Sequence, residues 1–581
     1  MKILFGLIYT MDPAMQFMYI FLPCSMIVLP VLHHFLKEHI KIWFCTCLIP
    51  MVVYAIFLSL QYYVGNPELT INRYAAFGIV TLLIALWGLA ILCKRSFKAY
   101  TIIVMSFSAV ILLGSVIAIW AVWLRPNVTN CSHLGWTESF EGAIDTLEKE
   151  YVLNEWKEID YDRIRDELIP KVQEAERNND ELAYVYALYE LKYEFADGHV
   201  TIRGDMACRN EAMARYAGND YGFSMFRTDT DEIIAILVDD DSKCSELGIH
   251  NGSVITKWNG VPIEEALENV KCIDREYSIQ TAENIHIAQP IFLAGLSDDN
   301  LTVSFLDDGG SEQTVTLKPC GEYINRRSEE LRILFGENVV SSDNYSLSML
   351  DDHIGYIRIT EEEYSLDPLF ITKCTIAGYS KEIADDLDSG LEALRAQGMD
   401  QIIIDLRNND GGNGFEARTV ASLFTSEAIP YYLSLYSNGQ YKVVTESSDI
   451  DISDIEVRGK WSDLPVVVLV NGQTKSAGEI LTNYLKDSEN VTIIGNTTTW
   501  GNAQGTGGSV VLTGGKYEIR FPITPILNAD GQPAIDATAD RNSRIPLDYK
   551  IAYSTEDAVL FFEDSDKDTV LEKVVEYMNQ Q

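Results

Sequence analysis

Two stretches of the chain pair residue types that could do nucleophilic chemistry. The first, residues 470–485, reads VNGQTKSAGEILTNYL. There the β-branched run LPVVVLV breaks into a polar turn and restarts as an amphipathic segment with Ser476 at the junction. A serine at the start of a helix stands among unpaired N–H groups, at the end of the helix dipole that favours developing negative charge. The second, DLRNNDGGNG, lies about 70 residues upstream. Here the apolar strand Ile402–Ile404 runs into Asp405, Arg407 and the pair Gly411 and Gly412, where the chain can bend and offer bare N–H groups. Together the stretches describe a nucleophile, Ser476, beside an oxyanion hole made by the Ala477 N–H and one from Gly411 or Gly412. Ser476 with Glu479 also spells an S-x-x-E capping box. The company of DLRNNDGG tips the reading from cap to nucleophile.

A serine nucleophile needs a proton acceptor. Lys475 is adjacent to Ser476, but neighbours at the head of a helix point about 100° apart, so it is poorly placed to share a proton. A solvated side chain suits that lysine better.

The elements that must hold these residues follow from patterning. From about residue 346 strands and helices alternate: IGYIRI, a helix near Lys381–Gln397, DQIIIDLRNNDGGNG, another helix, LPVVVLV, then the helix opened by Ser476. Such alternation predicts α/β layers around a largely buried sheet, with chemistry at the strand-to-helix loops. Residues 136–193 carry apolar positions at three- and four-residue spacing and predict a small helical module, ended by the turn signal ADGHV and a strand. Between these, residues 216–317 have the texture of short strands and glycine turns.

The first 125 residues differ in kind. They hold eight basic and three acidic residues, a net of +5, whereas the rest of the chain carries a net of −45. Apolar stretches near 16–32, 42–63, 74–93 and 101–124 each approach the ~20 residues that span a bilayer as helix, and none has the layout of a cleaved signal peptide. Lys37, Lys41, Lys94, Arg95 and Lys98 fall on one side and Lys2, Arg73 and Arg125 on the other. The positive-inside bias then puts both termini, and everything after Arg125, outside the cytoplasm. The spans carry no interior charges of the kind that mark a transport path. The strong negative charge of the remainder argues against nucleic-acid and anionic-lipid partners. The ten cysteines show no CxxC pairing of a zinc site, and disulfide connectivity cannot be assigned from them. Asn127 and Asn130 head sequons.

The order helical module, glycine-turn β region, GYIRI, DLRNNDGG, NGQTKSAGEIL with LKD, IIGNTTTWG and a closing IPLDYKI resembles the C-terminal processing (tail-specific) and tricorn-core serine peptidases, over roughly residues 136–551. The resemblance implies a crotonase-like α/β core with an inserted PDZ domain, acting on proteins or peptides, without a cofactor or metal. The matched positions make Ser476 the nucleophile, with Ala477 and Gly411 or Gly412 as oxyanion donors. The segment ELGIHNGSVITKWNGVPI resembles a protease-associated PDZ domain. The loop Tyr221, Gly222, Phe223 matches the one that binds a peptide's terminal carboxylate while the peptide adds to a sheet edge.

Where the C-terminal processing branch carries its lysine base, in T-x-G-K-G, this chain has Asn502, an amide that cannot accept a proton at working pH. The tricorn-like branch instead uses a histidine near the end of the helical module, which His199 in FADGHVTI matches. Imidazole suits a general base because its pKa lies near working pH. That branch has a serine just before the histidine, where this chain has Gly198, and a late carboxylate to orient it, for which Asp540 and Asp536 are the candidates. Asp197 has its simplest role in the turn.

The expected architecture is therefore multi-domain: an all-α region of four transmembrane helices (1–125), a helical module (126–200), a β-rich PDZ-like domain (216–320) and an α/β crotonase-like peptidase core (340–581). The expected protein is a multi-pass serine endopeptidase of the cell membrane with the bilayer and protein or peptide substrates as partners. The alternative is a catalytically impaired, membrane-anchored peptide-binding module of the same fold.

Overall fold

The valine-rich run Val466–Val470 is the fourth strand of a six-stranded sheet. The order across it is Tyr345–Met349, Ile354–Ile359, Gln401–Asp405, Val466–Val470, Val491–Gly495 and Tyr549–Lys550. The first pair is antiparallel and the rest are parallel, with Asp405 opposite Leu469 and Val470 opposite Gly495. Every residue of Ile354–Ile359 and Val466–Val470 is buried, as strands covered on both faces must be. This computed structural model describes residues 128–580, apart from 278, 298–299, 336–343, 427–430, 438–439, 448–458, 528–531, 538–544 and 564–567.

The expected helix after GYIRI runs Lys381–Arg395, with the Ser380 side chain accepting from the Ile383 N–H. The helix Gly414–Phe424, buried along its whole length, packs between it and the helix Ala477–Leu485. The strand Gln401–Asp405 ends in a buried ion network. Arg407 donates from Nε to Asp405 Oδ1 at 3.0 Å and from Nη1 to Asp568 Oδ1 at 2.7 Å. Tyr356 donates its hydroxyl to Asp405 Oδ2 at 2.8 Å. Asp568 also caps the helix Thr569–Met578, so Arg407 ties the C-terminal helix to the sheet rather than pointing into solvent.

Burial pushes the Asp405 carboxyl up, but Arg407 and Arg358 outweigh it and hold the group at about 2. A depressed carboxylate stabilises above its unfolded pKa and loses that contribution as pH falls through the folded value. We therefore expect about 2 kcal/mol of stability to be lost between roughly pH 4 and pH 2. Denaturant unfolding at several pH values should show that loss in the wild type and not in Asp405→Asn.

The helical module consists of Trp136–Glu150, Tyr161–Asn178 and Glu181–Tyr193. Asp160 and Asp180 cap the last two by accepting from the Arg163 and Ala183 N–H groups. It does not close on itself. The strand after ADGHV, Thr201–Gly204, pairs antiparallel with Tyr517–Thr524, which pairs with Gly505–Val511. Phe140, Leu147, Tyr151, Leu188 and Phe195 share one core with Val510, Ile519 and Phe521. Late sequence therefore completes the early module.

The β-rich segment contains Ser224–Arg227 paired with Ile233–Ile236, and Ile255–Trp258, Leu301–Leu306 and Glu312–Leu317 in a second sheet. The helix Ala282–Leu293 lies against Ser224–Arg227.

The expected fold class is corrected here. The four apolar stretches fall in 1–125, outside the described residues, and among the described residues no helix is long and apolar enough to cross a membrane. The longest, Tyr161–Asn178, has 18 residues and carries acidic and basic side chains throughout, whereas a span needs ~20 mostly apolar ones. The described chain has a mixed α/β fold, and the all-α transmembrane region is without support. The expected multi-pass placement in the cell membrane rested on those helices and falls with them.

Candidate active site

Ser476 closes a tight turn between the strand Val466–Val470 and the helix Ala477–Leu485. The turn is pinned on both sides. Thr474 donates its hydroxyl to the Leu406 carbonyl at 2.8 Å, and the Lys475 N–H donates to the Asn409 carbonyl at 2.9 Å. Ser476 takes φ 48° and ψ −109°, a left-handed backbone that a residue with a Cβ adopts only where its surroundings enforce it.

DLRNNDGG lies directly against this turn. A Cβ placed on Gly411 would sit 2.7 Å from Ser476 Cβ and 3.2 Å from the Ala477 nitrogen, and the residue has φ +83°. On Gly412 it would sit 2.4 Å from the Glu362 carbonyl oxygen. Both positions thus require glycine. Of the expected oxyanion donors, the Gly411 N–H is committed to Asn409 Oδ1 at 2.8 Å. Ala477 is the first residue of its helix, where the N–H has no intrahelical acceptor.

The Glu479 carboxylate, which the sequence presents only as a cap, does more. It accepts from the Ser476 N–H at 3.2 Å, the Gly501 N–H at 2.5 Å and the Asn502 N–H at 3.0 Å. It therefore clamps the loop Thr499–Asn502 to the serine turn. Burial pushes its pKa up to about 7 against the pull of those N–H groups.

That loop carries Trp500, which the sequence reading did not single out. Its indole meets the His199 ring edge to face with centroids 5.0 Å apart, and the Lys475 ammonium sits 5.8 Å from the same ring. A Cβ on Gly198 would fall 1.7 Å from a ring atom, so the indole occupies the space above that glycine. Trp500 thus brings the DGHV turn, 277 residues before Ser476 in the chain, to the serine's neighbourhood. The signal that could have found it is the TWGN segment itself, placed where the resemblance implies a lysine.

His199 precedes the strand Thr201–Gly204. Its N–H donates to Asp197 Oδ1 at 2.8 Å, and Tyr151 donates its hydroxyl to Asp197 Oδ2 at 2.7 Å. The imidazole Nδ1 is buried, unpartnered, and 3.8 Å from Asp197 Oδ1. Burial lowers the His199 pKa, Asp197 opposes this, and Lys475 adds to the lowering. The balance favours the neutral imidazole, the form that can accept a proton.

Asp536 is engaged by Lys157 Nζ at 2.5 Å and accepts from Trp156 Nε1 at 3.0 Å, so the carboxylate beside His199 is Asp197 instead. Asp540 lies outside the described residues. Lys475 pairs with Asp410 at 2.7 Å. In the loop expected to bind a peptide carboxylate, Tyr221 and Phe223 are buried and the Gly222 N–H donates to the chain's own Asp220 at 2.8 Å. Among the described residues no group of acidic, cysteine and histidine side chains could hold a metal.

Residues 353–549 match the model described as Peptidase family S41. Over 188 residues the chain is 29% identical to the carboxy-terminal processing protease CtpA of Bacillus subtilis (strain 168), covering 32% of this chain and 33% of that protein. Over 145 residues it is 31% identical to the carboxyl-terminal-processing protease of Synechocystis sp. (strain ATCC 27184 / PCC 6803 / Kazusa), covering 25% and 27%. The chain thus spans about a third of the length of the curated relatives it matches. The crystal structure of mature CPAF aligns with 77% of this chain and 98% of its own at 14% identity, with a TM-score of 0.48. The stretch that matches Peptidase family S41 holds Gly411, Gly412, Ser476, Glu479 and Trp500, whereas Asp197 and His199 lie before it.

Proposed function

We propose that this chain is a serine-type peptidase that hydrolyses peptide bonds of proteins or peptides, with Ser476 as nucleophile and His199 as general base. The observation that carries the reading is the His199 ring held edge to face against Trp500, with its Nδ1 buried and facing Asp197, in a chain whose lysine position is filled by Asn502. In the first step Ser476 Oγ attacks the scissile carbonyl carbon as its proton passes to the imidazole. The oxyanion receives the Ala477 and Gly412 N–H groups. The imidazolium then gives the proton to the leaving amine, the C–N bond breaks, and water, deprotonated by the same imidazole, releases the acyl group from Ser476. Asp197 takes the orienting part, since it is the carboxylate facing Nδ1. The segment 216–320 acts as a PDZ-like holder of substrate C-termini or gate, and an incoming carboxylate would displace Asp220 from the Gly222 N–H.

The test compares wild type, His199→Ala and Lys475→Met on an unstructured protein. We expect His199→Ala to lose activity by roughly 10²- to 10⁴-fold, the range of a general base, and Lys475→Met to stay within a few-fold. A fully active His199→Ala beside an inactive Lys475→Met would overturn the assignment of the base.

A further inference from the structure

The residue that rules out a lysine base is itself placed to serve the histidine. Asn502 is fully buried, and its Oδ1 accepts the Gly198 N–H at 3.0 Å. Its own N–H donates to Glu479 Oε2 at 3.0 Å, the oxygen that also accepts the Ser476 N–H. One short path of hydrogen bonds therefore runs from the turn holding His199, through the Asn502 side chain and the Glu479 carboxylate, to the nucleophile's own backbone. Asn502 is further held by a backbone bridge to Asp536.

We propose that Asn502 is a positioning residue for the reaction: its side-chain carbonyl docks the Asp197–Val200 turn, and with it the imidazole of His199, onto the serine turn. This rests on the reading of Ser476 and His199 as nucleophile and base. Two features point to positioning rather than to general packing. Asn502 Nδ2 is buried without a partner, a cost in free energy that an apolar side chain would not incur. The opposite amide orientation would set two donors, Nδ2 and the Gly198 N–H, against each other. The amide is thus kept for its one carbonyl contact. Gly198, its partner, is also the residue whose missing Cβ lets Trp500 lie against His199, so two contacts from the segment Trp500–Asn502 fix the same turn. The charged groups around this junction are Asp197 and Lys475, which act on the imidazole, Lys192, which interacts with both of them, Glu479 beneath the Asn502 N–H, and, across the backbone bridge, Asp536 with Lys157, which also donates to the Ala196 carbonyl.

The full chain would be assayed on an unstructured protein as wild type, Asn502→Leu, Asn502→Asp and His199→Ala, with pH profiles of kcat/KM. Leucine keeps the volume and removes the acceptor; aspartate keeps the acceptor and adds a charge. We expect Asn502→Leu to lower kcat by about 10- to 100-fold with little change in KM, as for a misplaced catalytic group. Asn502→Asp should recover most of that kcat while its acid limb moves up by roughly one pH unit, because an added anion favours the imidazolium. An Asn502→Leu variant that matches wild type in kcat and pH profile, beside an inactive His199→Ala, overturns this proposal and leaves the base assignment standing. An active His199→Ala overturns the base assignment itself. Should Asn502→Leu not fold, an unmoved acid limb in Asn502→Asp overturns the docking role.

Discussion

Ser476→Ala is expected to lower hydrolysis of an unstructured protein by about 10³-fold or more while leaving thermal unfolding nearly unchanged. The asymmetry follows from the local structure. What Ser476 gives the fold is a backbone N–H to Glu479 and an unusual φ of 48°, and alanine keeps the N–H and meets the same backbone strain. What it gives the proposed reaction is an oxygen that no neighbour replaces, since Lys475 is paired with Asp410 and Thr474 is spent on the Leu406 carbonyl. A fluorophosphonate probe should label wild type at Ser476 and not label the alanine variant. If the variant cleaves as fast as wild type, Ser476 is not the nucleophile. If wild type neither cleaves nor labels, the non-catalytic peptide-binding alternative takes over.

Gly198→Ser should be nearly as damaging, although it adds only a hydroxymethyl group that the tricorn-like resemblance implies at that place. The added Cβ would fall 1.7 Å from a Trp500 ring atom, and the indole cannot yield without leaving His199 and the Lys475 ammonium. Overpacking of this kind costs about 1–3 kcal/mol. A shift of the base of even ~1 Å lowers rate on the order of 10²-fold. Because the fault is one pair of residues in one space, the double variant Gly198→Ser with Trp500→Ala should recover stability that the single changes, summed, would lose. Unfolding midpoints of the four proteins decide it; simple additivity would show that Trp500 is not the obstacle.

How much of this was legible depended on the range of each interaction. Ser476, Ala477, Gly411 and Gly412 were named because their chemistry is written in neighbouring residues: a strand end, a turn, a helix start, a glycine pair. The sheet was legible for the same reason, since a strand buried on both faces must be a continuous apolar run, as Val466–Val470 is. Hydropathy also marked apolar runs in 1–125, but transmembrane helices are not supported by any described helix.

The carboxylate beside His199 was not legible. Position in the chain favoured Asp540, which lies outside the described residues, and Asp536, which Lys157 and Trp156 claim, while the turn's own hydrogen bond sets Asp197 beside the ring. Nor could Asn502 be read as anything but a missing lysine.

By itself, then, the sequence determined the candidate nucleophile, its candidate oxyanion donors and the α/β layering, because these depend on residues a few positions apart and on alternation of apolar strands and amphipathic helices. Only the tertiary structure decided what surrounds His199. The antiparallel pairing of Thr201–Gly204 with Tyr517–Arg520 brings its turn against Trp500 and Asn502, across about 300 residues of chain. Such a contact arises from cores that two distant segments complete together, and no local pattern in either one records it.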